Sequence, residues 1–443
     1  MSYGNKYSNK PFEGASKTGH TNIINDEIVK NFLGQCHIPP FTDNMDNNDL
    51  VFTDIENIKA NPVKNIIAID GGYTNVIVKA EFPSSTIAFF QFGALFFKFK
   101  DLLNLKKKPF IDPDDFSKLQ NIQRIKLVLP TKGISLKGEK DLLSSVRKTI
   151  YDFFMNSPEK EGLISSLKWL IFEEFNVKAK VIWHLSSCPC CNEGIDIDKT
   201  MIKSNYTVSC PSCNEILYLT DTLRLHEDID NELGAGGVLG YLSTAIEHLL
   251  IVFLIKSMLE TKPSLLKETM IIKDGPLAFF GLTANIHTPM RKLVEYLYNN
   301  YGIFLVGLEK SGSFVEHADS ISNKIDKQKA LILTNKYIYK YIIPGQSNES
   351  APYGRSTYYG HKVIFKSKYD NIYVATVPTL QALVKPSKND LLNMDVILNN
   401  ISALKCDLYY NSLVPIVLAN KLVSLADHPS ADLLKHFAQE TIN

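Results

Sequence analysis

The sequence predicts an α/β protein: a mixed sheet flanked by helices, interrupted by a metal-binding insertion. Three observations carry that prediction. Short apolar runs closed by Gly or Asp, at 65–72, 269–275 and 303–308, read as buried strands. Stretches with helical apolar spacing, at 137–176, 238–259 and 289–298, alternate with them. Five of the seven cysteines lie between Cys188 and Cys213, which suggests a metal site more than a disulfide framework in a chain of 443 residues.

Taken in order, residues 1–60 are polar and Asn-rich, with one amphipathic stretch from Ile23 to Phe32 and a break at Pro39-Pro40. They are expected to form an N-terminal arm with no core of its own. Three strands follow at 65–72, 75–80 and 86–92, as in a meander. Lys98, Lys100, Lys106, Lys107 and Lys108 form a basic segment suited to a solvated loop or to a phosphate-backbone contact. Helical spacing runs through Leu142, Val146, Ile150 and Phe154, and 177–185 returns to strand. Beyond the cysteines come the long apolar helix 238–259, the strand 269–275, a helix over 289–298 and a strand over 303–308. Two or three strands between 340 and 377 and a helix near 417–426 close the alternation. The expected division is an arm (1–60), a first core part (61–186), the insertion (187–220) and a second core part (221–443).

With 48 Lys+Arg against 47 Asp+Glu and 45% hydrophobic residues, the composition is that of a globular protein and excludes collagen-like or wholly disordered chains. A net charge of +1 excludes a uniformly basic chain but leaves room for a basic groove. The start, Met1 to Lys6, has no apolar core of a signal peptide. A membrane span over 238–259 would have to bury Glu247, His248 and Lys256, so a core helix is expected there, in a soluble, cytoplasmic protein without a membrane partner.

The strongest local pattern is a repeat. Ser187-Cys188-Pro189-Cys190-Cys191-Asn192-Glu193 is echoed by Ser209-Cys210-Pro211-Ser212-Cys213-Asn214-Glu215. Each C-x-x-C forms a knuckle with two thiolates on one ion, and two knuckles complete a tetrahedral site for Zn2+. Alignment of the copies sets Cys190 against Ser212, which leaves Cys188, Cys191, Cys210 and Cys213 as the ligands. Four thiolates leave no open position for water, so the expected metal is structural, in a zinc ribbon.

Carboxylates supply the second pattern. Asp70 ends an apolar run and precedes Gly71-Gly72, and Asp274 stands likewise before Gly275. On parallel neighbouring strands two such aspartates could share a divalent cation. Glu247 lies on the apolar helix between them, where an unpaired charge is costly, so a metal or a Lys or Arg partner is required.

In order along the chain, these segments resemble the NurA nuclease family. The resemblance rests on Ala68-Ile69-Asp70-Gly71-Gly72, Ala245-Ile246-Glu247, Lys273-Asp274-Gly275-Pro276-Leu277, Val306 to Phe314 and Val414 to Lys421, spanning about residues 64–425. It implies an RNase H-like fold and a manganese-dependent (or magnesium-dependent) DNA nuclease. It further implies a homodimer that works with the hexameric ATPase HerA in DNA end processing or phage defence. By the same resemblance Asp70, Glu247 and Asp274 take the metal-binding carboxylate positions, and Lys310 matches the basic residue after the later strand.

The physical chemistry of phosphodiester hydrolysis agrees: two cations held by three carboxylates would activate water and clamp the scissile oxygens, and Lys310 would stabilise developing charge. Glu247 is preferred over Glu232, which precedes a glycine-rich stretch, and over Glu260, about 220° away around the helix at 3.6 residues per turn. Lys336-Tyr337-Ile338-Tyr339-Lys340-Tyr341 interleaves rings with amines as a track for single-stranded DNA would, or is a strand with an ordinary amphipathic face. Two other functions use the same residues. An actin-like ATPase would bind phosphate at a turn over Asp70-Gly71-Gly72, with Gly234-Ala235-Gly236-Gly237 as a nucleotide loop. A non-catalytic adaptor would be organised around the zinc ribbon alone.

Overall fold

The computed structural model describes residues 17–36, 38, 40, 45–105, 122–343, 345, 348, 350–406, 411–425 and 430–442. Two short helices, α1 (Lys17–Asn25) and α2 (Glu27–Gln35), precede β1 (Phe52–Asp54), β2 (Asn65–Lys79) and β3 (Ser85–Lys98). Then come α3 (Phe99–Leu105), β4 (Ile122–Lys132), α4 (Leu142–Asn156) and α5 (Gly162–Ile171). The cysteine region holds two hairpins, β5 (Ile182–Leu185) with β6 (Ile195–Asp198), and β7 (Thr207–Ser209) with β8 (Ile216–Tyr218). The second half runs α6 (Leu239–Thr261), β9 (Thr269–Asp274), α7 (His287–Asn300), β10 (Phe304–Glu309), α8 (Ser313–Ser320) and β11 (Lys329–Ile332). It continues through α9 (Asn335–Tyr341), β12 (Gly360–Lys366), β13 (Ile372–Pro378), α10 (Met394–Ala403), α11 (Val414–Val423) and α12 (Ser430–Ile442).

Nine strands form one mixed sheet in the order β1-β11-β12-β13-β10-β9-β2-β3-β4. Only the central β2, β9 and β10 run parallel. They read as continuous apolar runs because helices cover both faces. On one face Ile67, Ile69 and Ile271 pack with α4, α5, α6 and α7. On the other, Ile66, Ala68 and Ile272 pack with α10 and α11. The alternation is the strand period of two. Helix α6 is apolar all round, as suits a helix enclosed by protein. Among the described residues it is the one helix long and apolar enough to cross a membrane, and 72% of its apolar window is buried inside the molecule.

Several expectations need correction. The strands expected at 65–72 and 75–80 are one strand, with β2 pairing β3 through Gly71 opposite Phe92 and Gly72 opposite Gln91. These glycines permit close approach, not a turn: a Cβ on Gly71 would lie 2.6 Å from the Phe92 ring, and one on Gly72 would lie 2.7 Å from the Val423 carbonyl oxygen. Of 177–185 only Ile182–Leu185 is strand. Phe52–Asp54, within the expected arm, pairs with β11, a strand too short to announce itself in sequence. Lys336–Tyr341 lies on helix α9, begun by Thr334, whose hydroxyl accepts from the Tyr337 amide at 3.2 Å. Tyr337 and Tyr341 enter a core cluster while Lys336 and Lys340 pair with Asp49, so this segment offers no stacking track. Of the basic segment, Lys98 and Lys100 are exposed; Lys106, Lys107 and Lys108 lie outside the described residues.

Candidate active site and cysteine cluster

Strand register brings the two aspartates together. β2 and β9 are parallel neighbours with Ile69 opposite Lys273, so Asp70 and Asp274 follow side by side. Asp70 is mid-strand rather than at a strand end, and Asp274 is the last residue of β9. Both continue the sheet face of Ala68 and Ile272. Lys273 continues the opposite face, that of Ile271, under α6. Helix α6 presents Glu247 to that face, and the missing side chain of Gly71 makes room for it: a Cβ there would lie 2.9 Å from Glu247 Oε1. Glu247 therefore lies on the sheet face opposite to that of Asp70 and Asp274.

Two lysines enter the cluster. Lys310, just past β10, donates to Asp274 Oδ2 at 2.6 Å. Lys273 Nζ lies 2.6 Å from Glu247 Oε2 and 2.6 Å from the Asp274 carbonyl oxygen. Glu247 thus has the basic partner that its burial demanded, and that partner is the residue before Asp274. Lys273 was not singled out from sequence; the signal was a lysine inside an otherwise apolar run, Met270-Ile271-Ile272-Lys273. The end of β10 is held by Glu309, which takes Lys362, itself buried against the Phe314 ring at 4.0 Å.

Asp70 differs from its neighbours. It is 6% exposed, its Oδ1 accepts from the Gly71 amide at 2.9 Å, and its buried Oδ2 has no hydrogen-bond partner. Burial first, then the charges of Asp274 and Glu247, push its carboxyl up to about 8, against the weaker opposing pull of Lys310. Burial also raises the Glu247 carboxyl, opposed by Lys273 and by the Ser243 hydroxyl. The neighbouring His248 is driven well below its ordinary range by burial and then by Lys273, so it stays neutral. A buried carboxylate oxygen with no donor, among like charges, fits a cation. Glu260 instead lines a separate cleft of about 620 Å³ with Glu159 and Ser257. Glu232 is exposed on the loop before α6.

The phosphate turn required by an actin-like ATPase is absent, because Asp70-Gly71-Gly72 is paired strand. In the glycine-rich loop the Gly234 and Ala235 amides already donate, to Asp230 and to the Thr131 carbonyl.

The cysteine region brings four of its five thiols together. Sγ atoms of Cys188, Cys191, Cys210 and Cys213 lie within 4.8 Å of one another, and this is the one such group of His, Cys, Asp or Glu ligands among the described residues. The knuckles share a backbone: Cys188 N donates to Glu193 O at 2.8 Å and Cys210 N to Glu215 O at 2.9 Å. Asn192 and Asn214 take the same left-handed conformation, with φ of 61° and 62°. Cys190 is exposed, outside the group. Trp183, Ile197, Val208 and Leu217 join the core of α4 to α6, and Arg147 on α4 clamps Asp221 at 2.8 Å, so the hairpins are bound to the main body.

No protein-family profile and no curated protein sequence matches the chain. Two solved structures are similar along almost their whole length. The NurA nuclease from Sulfolobus solfataricus shares 11% identity over 97% of this chain and 98% of its own, with a TM-score of 0.33. A second NurA structure shares 12% over 97% and 99%, with a TM-score of 0.28. Likenesses this distant assign neither family nor function.

Proposed function

We propose that the chain is a divalent-cation-dependent DNA nuclease. The observation that carries the reading is Asp70: a buried carboxylate with one partnerless oxygen, at the junction of two parallel strands, beside Asp274 and Glu247 and with Lys310 within reach. Asp70 and Asp274 would hold Mn2+ or Mg2+, and Glu247, paired with Lys273 on the opposite sheet face, would add its charge to the cluster. The bound ion would lower the pKa of water and offset charge on the scissile phosphate. Lys310, paired with Asp274 and part-exposed, would stabilise charge gathering on phosphate oxygens. Gly71 leaves the room that lets Glu247 lie against the strand. The parallel pair carrying both aspartates, inside a mixed sheet, supports an RNase H-like core.

Further parts of the reading follow from the motif resemblance and the cysteine geometry. The four sulfurs would hold Zn2+ as a structural staple. The protein would act in the cytoplasm as a homodimer with a HerA-type hexameric ATPase, in end processing or phage defence, with residues 1–45 contributing to motor binding. Cleavage of single- and double-stranded DNA by purified protein, with Mn2+ or Mg2+ and with or without such a motor, tests the function. Asp70→Asn should abolish cleavage; no cleavage under any of these conditions, or cleavage that persists in EDTA, rejects the reading. Motor binding that survives deletion of 1–45 rejects the arm's part in it.

A further inference from the structure

We propose that Lys273 serves as a built-in cation that confines the active site to one divalent ion per chain, held between Asp70 and Asp274. The inference rests on the nuclease reading above and replaces the two-cation expectation drawn from the sequence.

The geometry divides the acidic cluster into two unequal halves. Glu247 and Lys273 meet under α6, 2.6 Å apart, and Lys273 also takes the Asp274 carbonyl oxygen, so two of its three donors are used inside the protein. Both residues are buried, at 8% and 3% exposure. An ammonium enclosed this way is not readily displaced, because leaving would strand an unpaired carboxylate. The place beside Glu247 that a second ion would need is therefore filled by the chain itself.

The other half lacks a cation. Asp70 Oδ2 is buried without a partner, and the nearest ammonium, Lys310, is spent on Asp274 Oδ2. Lys273 and Lys310 balance Glu247 and Asp274, so Asp70, once ionised, is the one carboxylate of the three with no ammonium of its own, and the cluster is then one positive charge short. A single divalent ion turns that deficit into a small excess, which one phosphate diester of the substrate neutralises. A second ion would leave the buried cluster strongly positive even with substrate bound, and strong net charge in a low-dielectric setting is costly.

Mn2+ binding to the full chain, followed by EPR and by equilibrium dialysis, tests this without relying on cleavage, and the thiolate site does not interfere because bound Zn2+ is EPR-silent. The expected result is one Mn2+ per wild-type chain, none in Asp70→Asn, and two in Lys273→Met, whose spectrum should broaden from coupling between neighbouring ions. Two ions in the wild type, or one in a folded Lys273→Met, overturns the proposal. If Lys273→Met does not fold, the wild-type count decides alone: one supports the proposal and two rejects it. No Mn2+ in a folded wild-type chain rejects the nuclease reading beneath it instead.

Discussion

Replacing Glu247 by Gln should cost stability as well as cleavage, and the two losses have different causes. In the folded chain Lys273 is 3% exposed and its ammonium lies 2.6 Å from Glu247 Oε2. The substitution keeps the shape and removes the charge, leaving a buried ammonium with two neutral acceptors. Removing one member of a buried ion pair costs about 3–5 kcal/mol, and the amide oxygen that still accepts places this case near the lower bound. An unfolding entropy of roughly 2.1 cal/mol/K per residue over this chain makes 1 kcal/mol worth about 1 °C, so Tm should fall by about 3 °C. The measurement is a thermal melt without added divalent ion. The double variant Glu247→Gln with Lys273→Met removes both charges and should recover most of the loss, since no buried charge is then left without its partner. A Glu247→Gln melt within 1 °C of wild type, or a double variant less stable than the single, would refute this account of the pair.

Asp70 should behave in the opposite sense. With its carboxyl raised to about 8 from an ordinary 3.8, the folded chain holds a proton that the unfolded chain releases between roughly pH 4 and 8. That contribution to stability is fully present below the window and is lost as pH rises through it; Asp70→Asn should flatten the slope in melts from pH 5 to 8, and an unchanged slope would count against the assignment. Metal content by elemental analysis should show one zinc in wild type and in Cys190→Ser, and none in Cys213→Ser, which should also melt earlier; equal dependence on Cys190 would overturn the knuckle alignment. Gly71→Ala puts a methyl 2.6 Å from Phe92 and 2.9 Å from Glu247 Oε1, so a destabilisation of about 1–3 kcal/mol and a drop in cleavage greater than the folded fraction explains are expected. Activity that simply follows the folded fraction would show that Gly71 does not position Glu247.

Local pattern was enough for part of this protein. The cysteine repeat carried its own geometry, because each knuckle closes within seven residues: identical spacing produced the same backbone bonds and the same left-handed asparagine in both copies. The long helix and the central parallel strands were legible for a similar reason, since burial on both faces writes an unbroken apolar run. Beyond that range the sequence was silent or misleading. Gly71-Gly72 looked like a turn, yet it is strand, because the need for glycine comes from Glu247 and Val423, which are distant in sequence. Lys336 to Tyr341 looked like a nucleic-acid track, yet a helix sends Tyr337 and Tyr341 inward and Asp49 takes its lysines. That Asp70 and Asp274 would lie side by side was an inference from the chain; that Lys273 would turn beneath α6 to meet Glu247 while Lys310 closed on Asp274 was not. Pairings of that kind depend on strand register and on which face each residue takes. Those are fixed only when the helices pack and a one-residue step reverses every side chain.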